Sequence, residues 1–207
     1  MHRRPASAEI RELGETMLEI NLRHERLIDG LLLLARAEGE VTDSSFVDLA
    51  DIAEHVAAQI PRGTVSVLTE TKEAPTTGNP ILLERLVQNL VDNGVRHNLP
   101  ESGWVRVTTG TQPDGSAVVA VSNTGPVISP YEVPSLFEPF RRLHADRLAT
   151  TTHGAGLGLS IVQAIARAHS GAVRAEPRDA GGLTVTITLP ESQNTALSQP
   201  HRRQTEP

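Results

Sequence analysis

Apolar side chains recur at alternating steps of three and four near the start of the chain: Ile10, Leu13, Met17, Ile20, Leu27, Leu31 and Leu34, with position 24 as the one gap. Charged residues such as Glu12, Glu15, Arg23, Glu25 and Arg26 fill the other faces, so the spacing predicts one long helix over 7–39 with a narrow seam that a second helix must cover. Gly39 is a suitable stop. EVTDSSFVD, residues 40 to 48, loses the periodicity and reads as a polar linker. Beyond it the pattern alternates between the two periods. A helix is expected at 48 to 60, ending before Pro61-Arg62-Gly63, then a strand in TVSVLTE. NPILLERLVQNLVDNGVRHN reads as an amphipathic helix from about 79 to 97, its core stripe made of Leu83, Leu86, Val87 and Leu90. WVRVTTG and SAVVAVSN alternate around the turn signal Gln112-Pro113-Asp114-Gly115 and predict a hairpin. A loop with Pro126, Pro130 and Pro134 follows. LGLSIVQAIARAHSG predicts a helix ending at Gly171, and AVRAEP and LTVTITLP a second hairpin through Asp179-Ala180-Gly181-Gly182. Residues 192 to 207 are polar and aperiodic and read as disordered. A helical arm followed by mixed strands and helices points to an α+β layer domain.

Composition narrows the chemistry. The 207 residues carry a formal charge of −6 without a long basic run, which argues against binding nucleic acid through a basic face. Cysteine is absent, so disulfides and thiolate metal sites are excluded. Aromatic residues are 2% of the chain, so the core must be built from Leu, Val, Ile and Ala. No apolar run reaches the ~18 to 20 residues of a membrane span, and no signal peptide is legible; the chain reads as soluble and cytoplasmic.

Three polar segments interrupt this apolar pattern. Asn89 and Asn93 lie four apart on one helix face, and an amide oxygen is a neutral hard ligand suited to magnesium among phosphates; the same pair could equally line a solvated face. Ser122-Asn123-Thr124-Gly125-Pro126 breaks a strand into a loop, where a side-chain acceptor could meet an exocyclic amine; an ordinary Asn-Thr-Gly turn would look the same. Gly154-Ala155-Gly156-Leu157-Gly158-Leu159-Ser160 opens a helix, and bare amides at a helix start can cradle phosphate. It is not a P-loop, which requires Gly-Lys-Ser/Thr, nor a dinucleotide fingerprint, since TTH rather than a strand precedes it.

In this order the segments resemble the ATP-binding domain of sensor histidine kinases, in the superfamily that includes gyrase and mismatch-repair ATPases. NLVDNGVRHN resembles the N box, NTGPVI the first glycine box, LFEPFRR (136 to 142) the F box and GAGLGLSIV the second glycine box. The arm, especially HERLIDGLLLLARAEG, is similar to the second helix of the family's dimerisation and phosphotransfer hairpin. The resemblance implies a two-layer α/β sandwich at 49–191, a partial hairpin helix at 1–40, a linker at 41–48 and a tail at 192–207. It implies that Asn93 holds magnesium with Asn89 beside it. Arg96 and His97 would lie near the phosphates. Gly125 would face the base, Phe137 and Phe140 would pack the base of a lid formed by 141–153, and Arg142 would reach the γ-phosphate. Gly154, Gly156 and Gly158, with Leu157 and Leu159 between and after them, would meet ATP through backbone amides. Two departures stand out. Asn123 replaces the family's aspartate at the adenine amine, a loss of ~0.5–1.5 kcal/mol if one hydrogen bond weakens, and Val127 replaces a second glycine. The hydrolytic members carry a glutamate at the position of Asn89; without that base, transfer is favoured over hydrolysis.

The phosphoacceptor is a separate matter. His24-Glu25 superficially resembles the family's His-Glu-x-x-x-Pro, but no proline follows and His24 falls in the seam gap, pointing into a bundle. The other histidines lack an acceptor context. The sequence begins where the family would be in mid-hairpin, which fits a truncated sensor, one half of a split kinase or a degenerate nucleotide-binding module. The expectation is a catalytic portion of a two-component kinase using ATP and Mg2+, phosphorylating a histidine elsewhere for relay to a response regulator, and pairing as homodimer or with another protein through 7–39. An anti-sigma-factor-type serine kinase shares the ATP fold but has no need of the helical seam.

Overall fold

The computed structural model describes residues 13, 14, 17, 43–61, 63, 65–141 and 156–192. Of the helix expected over 7–39 the described residues are Leu13, Gly14 and Met17, all helical; His24, most of the lid and the tail beyond 192 lie outside them.

Among the described residues from 43 onward, seven strands, three α-helices and a 3-10 helix run in the order β1 (Ser45–Asp48), α1 (Leu49–Gln59), β2 (Ser66–Glu70), β3 (Pro75–Gly78), α2 (Pro80–Arg96), β4 (Trp104–Thr111), β5 (Ala117–Asn123), the 3-10 helix (Pro130–Phe137), α3 (Gly158–Ala168), β6 (Ala172–Pro177) and β7 (Leu183–Leu189). The main sheet has the order β2-β4-β5-β7-β6, with β2 and β4 parallel and the other pairs antiparallel. The stretch read as linker enters the fold instead: Ser45–Asp48 pairs antiparallel with Pro75–Gly78 in a separate two-stranded ribbon.

Strand alternation produces the layers. Val105 and Val107 of β4, Ala117, Val119 and Val121 of β5, and Leu183, Val185, Ile187 and Leu189 of β7 turn to one face and are buried. The helices cover that face with Leu49, Ala53 and Val56 from α1, Leu83, Leu86, Val87, Leu90 and Val91 from α2, and Ile161, Val162 and Ile165 from α3. The opposite face, with Ala120, Ser122, Thr184 and Thr186, is only half-buried. This is the expected two-layer α+β sandwich, with a core of aliphatic residues.

The helix ends tie the layers together. Asp48 Oδ1 caps α1 through Ala50 N–H and also accepts from Ala74 N–H, both at 2.9 Å, which joins the ribbon to α1. Asn79 Oδ1 accepts from Ile81 and Leu82 N–H, with Pro80 at the first helical position of α2. Asn79 N–H in turn donates to Nε2 of His169 at 3.1 Å, while Nδ1 of the same ring lies 2.8 Å from the Ile165 carbonyl. His169, which no motif singles out, thus latches the end of α3 to the start of α2.

Burial holds the His169 imidazole below its ordinary value, outweighing the bond to Ile165 that favours the proton. An Nε2 that accepts from Asn79 cannot also carry a proton. The unfolded chain takes up a proton below about pH 6.5 where the native ring does not, so stability is full above that pH and falls as pH drops toward the native value. Thermal unfolding at pH 7.5 and 5.5 should show a larger loss for the wild type than for His169→Gln; parallel losses would place the pH sensitivity elsewhere.

Candidate functional site

β5 supplies the first element of the site. Its inward positions run Ala117, Val119, Val121, Asn123, so Asn123 stands where the apolar face of the sheet turns polar, and it is 8% exposed. Its amide Nδ2 donates to the Thr124 carbonyl at 2.8 Å, which leaves Oδ1 as the atom the side chain can offer as an acceptor. α2 lies directly against it: a Cβ on Gly94 would sit 3.2 Å from Val105 Cγ2 and 3.3 Å from Asn123 Cβ. A side chain there would press on both neighbours, so glycine favours the close approach of the helix to the sheet.

That approach fixes the other face of α2. Asn89 and Asn93 are both half-buried on it, flanking the stripe of buried Leu83, Leu86, Val87, Leu90 and Val91. Asn89 Nδ2 donates to the Arg85 carbonyl at 2.7 Å, so its oxygen is the atom available outward. Gly158, first residue of α3, faces that oxygen: a Cβ there would lie 3.7 Å from Asn89 Oδ1. The start of α3 has Leu157 at its cap, which offers no side-chain cap bond, and Gly158 sets this helix start against the asparagine face. Leu157 and Leu159 are buried, which restricts them to backbone contact with a ligand. An uncapped helix start beside two amide oxygens is a donor set that fits a phosphate group with a hard cation.

The end of α2 is bound to both strands. Asn98 Nδ2 donates to the Gly94 and Trp104 carbonyls at 2.8 and 3.0 Å; Thr124 Oγ1 donates to Asn98 Oδ1 at 2.5 Å and accepts from Trp104 N–H at 2.8 Å. His97 is half-buried, and its carbonyl would lie 2.6 Å from a Cβ on Gly125, so the loop after β5 runs against the chain leaving α2. Arg96 is exposed on the same turn. Val127, in place of a glycine, turns its side chain to solvent at 81% exposure.

The two expected lid phenylalanines separate. Phe137 packs on the core, whereas Phe140 is exposed. Phe140 nevertheless joins the two sides of 142–155, because its N–H donates to the Gly156 carbonyl at 2.9 Å. Arg142 and Gly154 fall outside the described residues. Of the expected site residues, the structure sets Gly158 against Asn89, Gly125 against His97 and Asn123, and Gly156 against Phe140 and Arg141, while Asn123 meets α2 at Gly94, next to Asn93.

The β6–β7 turn is a support that sequence reading missed. Gly182 has φ +91 and a side chain there would strike the Asn123 carbonyl; its N–H donates to Pro126 O at 2.9 Å. Arg178 Nη1 donates to the Asn123 carbonyl at 3.1 Å, and its guanidinium stacks 4.4 Å from the centre of the Trp104 ring. The Gly-Gly pair was legible as a turn, but nothing local in the sequence points to partners so distant along the chain.

Residues 78–193 match the family described as histidine kinase-, DNA gyrase B-, and HSP90-like ATPase. The chain belongs to that family. Sensor protein CutS of Streptomyces coelicolor is 46% identical over 189 residues, covering 89% of this chain and 45% of CutS. Sensor histidine kinase CusS of Escherichia coli K12 is 31% identical over 189 residues, 88% of this chain and 38% of CusS. The ATPase chain thus spans less than half the length of these relatives. Among solved structures, mycobacterial sensor histidine kinase MprB aligns at TM-score 0.62 and 26% identity, over 72% of this chain and 97% of that chain. Full-length ShkA, solved in complex with AMPPNP, shares the fold at TM-score 0.69 and 23% identity, over 89% of this chain and 38% of that chain. Among the described residues no helix is long and apolar enough to cross a membrane.

Thr124 is the hub of the bonds that join α2 to β4 and β5. Thr124→Val keeps the shape and leaves the Trp104 N–H and Asn98 Oδ1 without this partner. It should cost about 1–3 kcal/mol in chemical denaturation; an unchanged midpoint would show that the network contributes nothing to holding the site.

Proposed function

We propose that this chain is the catalytic portion of a two-component histidine kinase, which binds Mg-ATP between α2 and the start of α3 and transfers the γ-phosphoryl group to a histidine. The reading is supported by one observation: Asn89 faces Gly158, at a helix start whose cap residue, Leu157, carries no side-chain acceptor. ShkA's complex with AMPPNP, in the same fold, agrees with it.

In this reading Asn93 Oδ1 ligates Mg2+, with Asn89 beside it, and the metal neutralises phosphate charge. The amides of Gly156, Leu157, Gly158 and Leu159 receive the phosphate oxygens. Asn123 Oδ1 accepts from the exocyclic amine of adenine, and Gly125 lets the base approach. Arg96 and His97 flank the phosphates, and Gly154 and Arg142 complete the site from the lid, with Arg142 directed at the γ-phosphate. The protein supplies positioning and preorganised donors. Position 89 carries an amide in place of a carboxylate, so no base is placed there to activate water, and the phosphoryl group is kept for another acceptor.

The acceptor histidine belongs to another segment or another chain. The seam over 7–39 pairs with a second copy or a hairpin partner, and a response regulator takes the phosphate onward, in the cytoplasm. Incubation with γ-labelled ATP and a protein carrying a His-Glu-x-x-x-Pro hairpin should give acid-labile label on the hairpin and none at His24. Acid-stable label would instead assign a serine kinase, and binding with no label on any hairpin a non-catalytic module. Calorimetry supplies the upstream check. Asn93→Ala should abolish the magnesium-dependent heat of ATP binding and leave the far-UV spectrum unchanged. An Asn93→Ala variant that binds Mg-ATP as the wild type does contradicts the assignment.

A further inference from the structure

We propose that Arg178 is a positioning residue for nucleotide recognition, which sets the carboxamide of Asn123 from outside the pocket. The inference rests on the ATP-binding reading above. Asn123 offers Oδ1 to a ligand only in the direction that its own backbone allows. Its Nδ2 is tied to the Thr124 carbonyl at 2.8 Å, the oxygen of the 124–125 peptide, so the side chain follows the backbone on its C-terminal side. Arg178 acts one peptide earlier, on the carbonyl of Asn123 itself: Nη1 donates to it at 3.1 Å and lies 3.5 Å from the Gly181 carbonyl, so the two bonds bracket the backbone that sets the carboxamide. One guanidinium thus joins the strand end that carries Asn123 to the turn that presses on it.

The guanidinium is itself held. Its carbon lies 4.4 Å from the centroid of Trp104, and that of Arg106 lies 5.3 Å from the same ring. Trp104 alternates onto the open side of the sheet, away from the inward Val105, so Arg178 approaches from the face opposite the helices. It does not touch the region between α2 and α3 and acts only through Asn123. A planar, charged fork that stacks on indole and donates to a carbonyl at once is within reach of arginine and not of lysine. Without it, the 123–124 peptide keeps its N–H bond to the Trp104 carbonyl but loses the side-chain donor on its carbonyl, so it is held from one side only and Oδ1 loses its aim at an amine on the base.

The consequence is selective. Affinity that depends on the exocyclic amine should fall, while affinity from ribose and phosphates should stay. The test compares ATP with purine riboside triphosphate, which lacks that amine, on the full chain with magnesium, by calorimetry. Arg178→Ala should bind ATP about fivefold more weakly, as one misdirected hydrogen bond implies, and purine riboside triphosphate as the wild type does. Trp104→Phe keeps an aromatic face for the stack and should retain the preference for ATP; Arg178→Lys should recover it at most in part. Melting temperatures taken alongside identify any variant that fails to fold, and Trp104→Ala then serves as the second probe, with the same selective loss expected. If Arg178→Ala weakens both nucleotides equally, or neither, Arg178 does not position Asn123. If the wild type binds neither nucleotide, the ATP reading falls, and this inference with it.

Discussion

Everything in the site depends on how closely α2 lies on the sheet at Gly94. A single methyl group there would meet Val105 at 3.2 Å and Asn123 at 3.3 Å. Contacts that tight require the neighbouring side chains to give by a few tenths of an ångström, which a densely packed interior resists. The approach places Asn123 beside the turn of α2 that follows Asn93. It also lets the Asn98 amide, bonded to the Gly94 carbonyl one turn back, reach the Trp104 carbonyl on the sheet and, through its oxygen, Thr124. A packing contact between apolar layers thus determines where three amides stand.

Electrostatics then decides what the region favours. The described part of the site presents neutral amides, backbone N–H groups and one exposed arginine. The start of α3 directs the positive end of its dipole toward Asn89 without a side chain of its own to answer it. Such an arrangement attracts an anion and tolerates a cation only when the anion comes with it. Magnesium nucleotide has that composition. The carboxamide at position 123 fits the same logic: its donor half is engaged by the Thr124 carbonyl, so it offers an acceptor without burying a charge.

The amphipathic helices and the alternating hairpins were legible because burial imposes a period on them. Leu83, Leu86, Val87 and Leu90 mark one face of α2 in the sequence as they do in the fold. Asn123 was legible too, as the polar end of an alternating strand. β1 and β3 were not: SFVD and PTTG are short, hold a proline and a glycine, and exist as strands only because they pair with each other. Pro130–Phe137 reads as a loop from its prolines, yet forms a 3-10 helix: Pro130 stands in the first turn, where no N–H is called for, and Pro134 forgoes one bond inside it. His169 and Arg178 were hidden for a different reason. Their partners, Asn79 and Asn123, are 90 and 55 residues away, and no local pattern carries such a pairing.

Amide hydrogen exchange of the full chain with and without magnesium and a non-hydrolysable ATP analogue tests the central claim most directly. The account predicts added protection in 123–126 and 156–160 and at the end of α2, with none on β6 or in the β1–β3 ribbon. Protection confined to the ribbon or the open face of the sheet, or none anywhere at saturating nucleotide, would contradict it.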